Sequence, residues 1–265
     1  MRELCIHSGI EVLRDLGLTV GLTGVTIEAA ASRSGFSRAS AYRAWRDDDS
    51  GDGPQQRFQR AVMIQLLSSI ADSETTVANR VFAMLAAETG TDDPESMLRY
   101  ISSADDNRRE RLFAKVVATG TYAHTGDLVN NSLWHTQISL VASLNSHDAP
   151  PPDLRSALRD GETVTATMWI DFYQLMLGAF GLRLKPHYSW EQVARAAAAV
   201  GEGVALRGRD PDGQRVDRPI RTDSGALEVD PHTPWTLFGV ALMGIVVEFC
   251  EPDPAVPHAI DPRRC

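Results

Sequence analysis

The stretch Thr26-Ile27-Glu28-Ala29-Ala30-Ala31-Ser32-Arg33-Ser34-Gly35-Phe36-Ser37-Arg38-Ala39-Ser40-Ala41-Tyr42-Arg43-Ala44-Trp45 decides how the chain is read. Thr26 is a helix-capping residue type, Glu28 an acid suited to a first helical turn, and the small residues after them favour a short helix. Ser34-Gly35-Phe36 breaks the pattern, and Gly35 can take a left-handed turn without steric cost. Ser37 then caps a second short helix running to about Trp45. The layout is that of a helix-turn-helix. On the second helix Arg38, Ala39, Ser40 and Arg43 fall outward, while Phe36, Ala41 and Trp45 pack inward. Such a helix suits a DNA major groove: arginine can reach guanine O6 and N7 together, and the hydroxyls of Ser40 and Tyr42 can hold phosphates or bases. The helix carries no acid.

Charge distribution agrees with that placement. The 265 residues carry a net charge of −9, but residues 1–60 hold eight arginines and eight acids and are neutral. Between Thr23 and Arg46 the arginines Arg33, Arg38, Arg43 and Arg46 face the single acid Glu28, a local net charge of +3 on an acidic protein. Hydrophobic residues at 43% and charged residues at 23% fit a folded globular chain and exclude a fibrous or wholly disordered one. Three scattered cysteines, Cys5, Cys250 and Cys265, suit neither a disulfide framework nor a cysteine-rich zinc site, so a reducing compartment is expected. The first fifteen residues mix charges with apolar groups and do not resemble a signal peptide. The longest apolar runs, Ala166 to Leu182 and Trp235 to Cys250, are shorter than the roughly 20 residues of a membrane helix. The expectation is a cytoplasmic protein with no membrane partner.

Apolar spacing of three and four recurs along nearly the whole chain and period-two alternation is almost missing, which predicts an all-α fold. A first helix with Ile6, Ile10 and Leu13 on one face stops near Gly17. The acidic stretch Asp47 to Pro54 reads as a loop between a domain over 1–53 and a second over 54–265, whose first helix runs from Pro54 through Ile70. Further helices are expected at about 77–88, 94–102, 108–124, 128–145, 152–182, 190–207 and 234–250, with Gly90, Gly126 and Pro150-Pro151-Pro152 as punctuation. Residues 208–232 form a long polar loop with room for one short hairpin. Gly201-Glu202-Gly203 and Gly178-x-x-Gly181 are read as sites of close helix packing.

At the residues Thr26, Ile27, Gly35, Phe36, Ser37, Tyr42 and Trp45 the sequence resembles the TetR family of bacterial transcriptional repressors, whose motif places these residue types at these spacings. The resemblance covers about residues 26–45. It implies an N-terminal helix-turn-helix domain that binds a double-stranded DNA operator, and a C-terminal helical domain that binds a small effector and dimerises through its last two long helices. By resemblance Thr26, Ser37, Ser40 and Tyr42 touch the DNA backbone, and Arg38, Ala39, Ser40 and Arg43 the bases. The family's usual lysine three residues after the aromatic is Asp48 here, within Asp47-Asp48-Asp49, where like charge would repel phosphate.

Downstream, Trp134, Gln137, Trp169, Phe172 and Tyr173 combine aromatic surface with polar groups on two helices, the chemistry of a small-molecule pocket. These five are the candidate ligand-binding residues. His124, His135 and His147 do not form a zinc spacing and are read as satisfied or exposed. No phosphate loop, nucleophile elbow or catalytic cysteine signature is present, so neither an enzyme, a cofactor nor a metal is expected. The expected protein is a dimeric, ligand-responsive repressor, its dimer formed by 190–207 and 234–250. The alternative is a helical small-molecule or partner binder of the same fold that has lost DNA binding, motivated by Asp47 to Asp49.

Overall fold

The computed structural model describes residues 1–16, 24–46, 51–68, 75–145, 151–208, 212–222 and 224–265. Gly17 and the run Asp47 to Asp49 lie outside the described residues. The described chain is mostly helical and packs as two compact units, each built from two separate stretches of sequence. The first unit comprises residues 1–72 and 131–165, the second 73–130 and 166–265. The division expected at residue 53 therefore differs from the packing: the helix that follows Pro54 belongs to the first unit.

In the first unit α1 (Arg2–Leu16), α2 (Ile27–Arg33), α3 (Arg38–Ala44) and α4 (Pro54–Ser68) surround one apolar cluster. Cys5, Ile27, Ala30, Ala41, Phe58 and Val62 are fully buried in it. Trp45 meets Phe58 edge to face at 5.5 Å. A Cβ on Gly9 would stand 2.8 Å from both Phe58 and Val62, so the glycine lets α1 and α4 close on each other. Gln55 ties the start of α2 to α4: its Oε1 accepts from the Ile27 N–H at 3.0 Å and its Nε2 donates to the Val25 carbonyl at 2.7 Å. The unit is completed by α8 (Ser132–Asn145) and the first part of α9 (Pro152–Ala179). Arg60 holds Asp153 with two hydrogen bonds of 2.5 Å, a bidentate pairing that fixes both planes.

In the second unit α7 (Asp106–Asn130) is the central element, packed by α5 (Thr75–Thr89), α6 (Pro94–Ser103), α10 (Trp190–Arg207) and α11 (Leu237–Phe249). Ser189 and Gln192 cap α10 reciprocally, each side chain bonding the other's backbone N–H. Short strands β1 (Leu182–Leu184) and β4 (Cys250–Pro252) pair antiparallel, while β2 (Pro219–Arg221) and β3 (Leu227–Val229) form the hairpin expected within 208–232. The first of these pairs was not expected. Strands of three residues are too short to show a period, and Leu182 was read as the end of a helix. That helix stops at Ala179 because Gly181 turns left-handed, with φ +74°. A Cβ there would also fall 2.9 Å from Ala259. The other expected boundaries shift for local reasons. Asn131 accepts from the Leu133 and Trp134 N–H groups and starts α8, so Gly126 lies inside α7. Thr236, accepting from the Gly239 N–H, starts α11 three residues after Pro234. Gly201 does permit close packing, its Cβ position lying 3.1 Å from the Phe238 ring, whereas Gly178 faces open space.

Two neighbouring charges of α7 are buried, Arg109 and Glu110, each 2% exposed. The Arg109 guanidinium donates to the carbonyls of Ile101 (2.9 Å), Ser102, Ala104 (3.1 Å) and His258. It closes the end of α6 and holds the C-terminal tail, where His258 has φ +62°. Glu110 pairs with Arg221 of β2 at 2.7 Å and with Arg264 at 3.3 Å. Arg109→Met would leave four carbonyls without their donor, and is expected to lower the stability to urea unfolding by about 2–5 kcal/mol. A loss under 1 kcal/mol would show that water replaces the guanidinium freely.

Candidate functional site

Two places combine exposed or unpartnered polar groups with a defined shape: the α2–α3 pair in the first unit and a cavity in the second. In the pair, the Thr26 hydroxyl accepts from the Ala29 N–H at 3.1 Å and begins α2. Ser37 does the same for α3, accepting from the Ser40 N–H at 3.2 Å. Between them Gly35 takes φ +72°, and the Phe36 N–H closes the turn on the Ala31 carbonyl at 2.9 Å. Ala30, Ala31 and Ala41 are buried, so the two helices meet through methyl groups and present their longer side chains outward.

On the outer face Ser37, Arg38, Ala39 and Arg43 are exposed, with Thr26, Ser40 and Tyr42 half-buried beside them. All seven expected contact residues thus belong to one helix pair. The structure adds a partner that spacing did not disclose. Glu28 accepts from the Tyr42 hydroxyl at 2.7 Å and pairs with Arg38 at 2.9 Å. The Arg38 guanidinium also lies 5.6 Å from the centre of the Tyr42 ring. The Tyr42 hydrogen bond, chiefly, holds the Glu28 carboxyl below the usual range, and the Thr26 hydroxyl and Arg38 add to this. In return the hydrogen bond to Glu28 raises the Tyr42 phenol. A phosphate approaching this face would compete with Glu28 for Arg38 and Tyr42. Arg43 makes no ion pair among the described residues. Arg2 borders the same face: its Nε donates to the Ala44 carbonyl, and its guanidinium lies 5.3 Å from the Trp45 ring centre.

The cavity lies among α5, α7, α9, α10 and α11 of the second unit. Its volume is about 50 Å³. Val81, Phe113, Val117, Leu242 and Val246 make much of the lining, and among the described residues no charged side chain contributes to it. Of the five expected ligand residues, Trp169, Phe172 and Tyr173 line this cavity. Trp134 and Gln137 do not. They are buried in the first unit, where Gln137 donates to the Leu66 carbonyl at 2.7 Å and so serves α4.

His124 was misread. It is 8% exposed and lines the cavity, and its ring nitrogens make no hydrogen bond among the described residues. Aromatic rings hold it instead, Trp169 edge-on at 5.2 Å and Phe238 at 5.7 Å. Burial without compensation pushes its pKa down to about 4. The available signal was helical spacing along α7, since Phe113, Val117, Thr121 and His124 share one face of it.

Compared with protein-family models, curated proteins and solved structures, the chain has no match. Among the described residues no helix is long and apolar enough to cross a membrane.

The imidazole carries a consequence for acid stability. An unfolded chain takes up its proton near pH 6.5, the folded one only near pH 4. Its contribution is therefore fully present above pH 6.5, erodes as pH falls towards 4, and amounts to about 3 kcal/mol across that window. His124→Phe should make the loss of urea resistance between pH 6.5 and 4 shallower by up to that amount. Identical pH profiles for the two proteins would contradict the burial of an unpaired imidazole.

Proposed function

We propose that the protein is a dimeric, ligand-responsive DNA-binding regulator of transcription, acting in the cytoplasm as a repressor released by a small apolar or aromatic effector. The observation that carries this reading is the α2–α3 pair: two capped helices meet at a left-handed glycine, and the second, free of acids, presents Arg38, Ala39 and Arg43 outward. In this reading α3 is the helix that enters the major groove, and the pair is a helix-turn-helix of the TetR kind. The cavity beside His124 is the effector site, and no catalytic step is assigned. Effector can shift the balance between DNA-competent and incompetent states only by its affinity difference for them.

Support for a dimer comes from the outer face of α10 and α11. A groove there is lined by Val200, Val204 and Leu237 together with Arg207 and Gln214, and Leu206 and Leu237 are more than half exposed. A monomer would leave this apolar face in water. Sedimentation at micromolar concentration should give a dimer that Leu237→Asp shifts towards monomer, and a monomeric wild type would remove the two-fold symmetry from the reading.

Mobility shift with DNA flanking the gene tests the DNA contacts. Tyr42→Phe should weaken all sequences alike, whereas Arg43→Ala should relax one base position at a cost of about 1–3 kcal/mol. Glu28→Gln should tighten binding, most of all at low salt, by releasing Arg38 and Tyr42 to phosphate. A second reading, a small-molecule binder of this fold without DNA affinity, is favoured by the hold of Glu28 on those two residues. It prevails if neither the wild type nor Glu28→Gln retards DNA at low salt.

A further inference from the structure

The cavity of the second unit constrains its occupant more tightly than its apolar walls alone suggest. Thr121 faces it, but that hydroxyl already donates to the Val117 carbonyl at 2.7 Å. The Tyr173 ring stacks on Trp169 at 5.6 Å. His124 is different: more than nine-tenths buried, at the wall, and without a hydrogen bond among the described residues. A hydrogen bond made to it inside the cavity is shielded from competing water and is worth more there than in solution. The neutral imidazole offers one donor and one acceptor, and a hydroxyl can answer either.

Charge and size narrow the class further. No charged side chain among the described residues lines the cavity, so a carboxylate, phosphate or ammonium would be stripped of water with no described group to compensate it. The cavity is small, about 50 Å³, which limits the occupant to a compound no bulkier than a single ring. Around the imidazole stand Trp169 and Phe238, whose edges and faces suit an aromatic guest. We propose that this cavity binds a small, uncharged, single-ring compound bearing one hydroxyl, held by a hydrogen bond to His124. The proposal rests on the reading of the cavity as the effector site and adds the class of compound and the residue that selects it.

Phenol, toluene and benzoate are the probes, titrated against the full chain by intrinsic tryptophan fluorescence, to which Trp169 in the wall responds, and by thermal shift. The wild type should bind phenol roughly tenfold tighter than toluene and benzoate not at all. His124→Leu should bring phenol and toluene to equal affinity while still taking toluene, and His124→Gln, which keeps a donor and an acceptor, should retain the preference for phenol. Should His124→Leu not fold, the wild-type ranking and His124→Gln decide. Benzoate binding as tightly as phenol, a preference that survives His124→Leu or is lost in His124→Gln, or silence from all three probes up to their solubility overturns the proposal. Benzoate binding alone would leave an effector site of a different class. Operator retardation in the mobility-shift experiment, with all three probes silent, would remove the ligand class and leave DNA binding standing.

Discussion

Arg109 and Glu110, adjacent on α7 and both buried, are the constraint on which the second unit depends. A lone charge in such a place would be prohibitive. Arg109 is tolerated because Ile101, Ser102, Ala104 and His258 turn carbonyls towards it, and Glu110 because Arg221 and Arg264 reach it. The partners come from three parts of the chain: the end of α6, the hairpin and the C-terminal tail. Burial of one helix turn thereby fixes three segments that also anchor in the core through Met97, Ile101, Ile220 and Ile260. The tail is further pinned by the Ile260 N–H on the Phe180 carbonyl and by Arg218 on the terminal Cys265 carbonyl.

One turn after another along the same helix, the chemistry changes from charge to hydrocarbon. Beyond Arg109 the α7 face carries Phe113, Val117, Thr121 and then His124, each buried. Glycines let neighbours come close here: a Cβ on Gly239 would stand 2.8 Å from the Thr121 hydroxyl, and one on Gly201 3.1 Å from Phe238. Close approach at these points, with bulky aromatics between them, leaves a gap that no side chain fills. The cavity and the imidazole at its wall follow from the packing of glycine-bearing helices against ring-bearing ones.

Much of the helical pattern was legible from the residues. The limits of α10 agree with expectation because Ser189 and Gln192 form a complete cap and alanine runs carry the helix onward. Thr26, Gly35 and Ser37 likewise occupy the caps and the turn that their types suggest. What escaped was decided by tertiary partners. Within Asp105 to Arg111 every residue but one is charged, and nothing local marks Arg109 and Glu110 as the buried pair. The aromatic-rich helices around Trp134 and Trp169 look alike in one dimension, yet only the second contributes to the cavity. Strands β1 and β4 stand some 65 residues apart and are defined only by each other.

The interleaving of the two units imposes an order on synthesis. Residues 1–72 must await 131–165 before the first unit is complete, and residues 73–130 emerge in between but wait for 166–265. Arg60 meets Asp153 only after 93 more residues have been made. At about 5–20 residues per second the N-terminal helices therefore spend several seconds without their full complement of packing. During that interval the apolar cluster from Cys5 to Val62 already lies within the first four helices, and what arrives late is the cover of α8 and the clamp of Arg60 on Asp153.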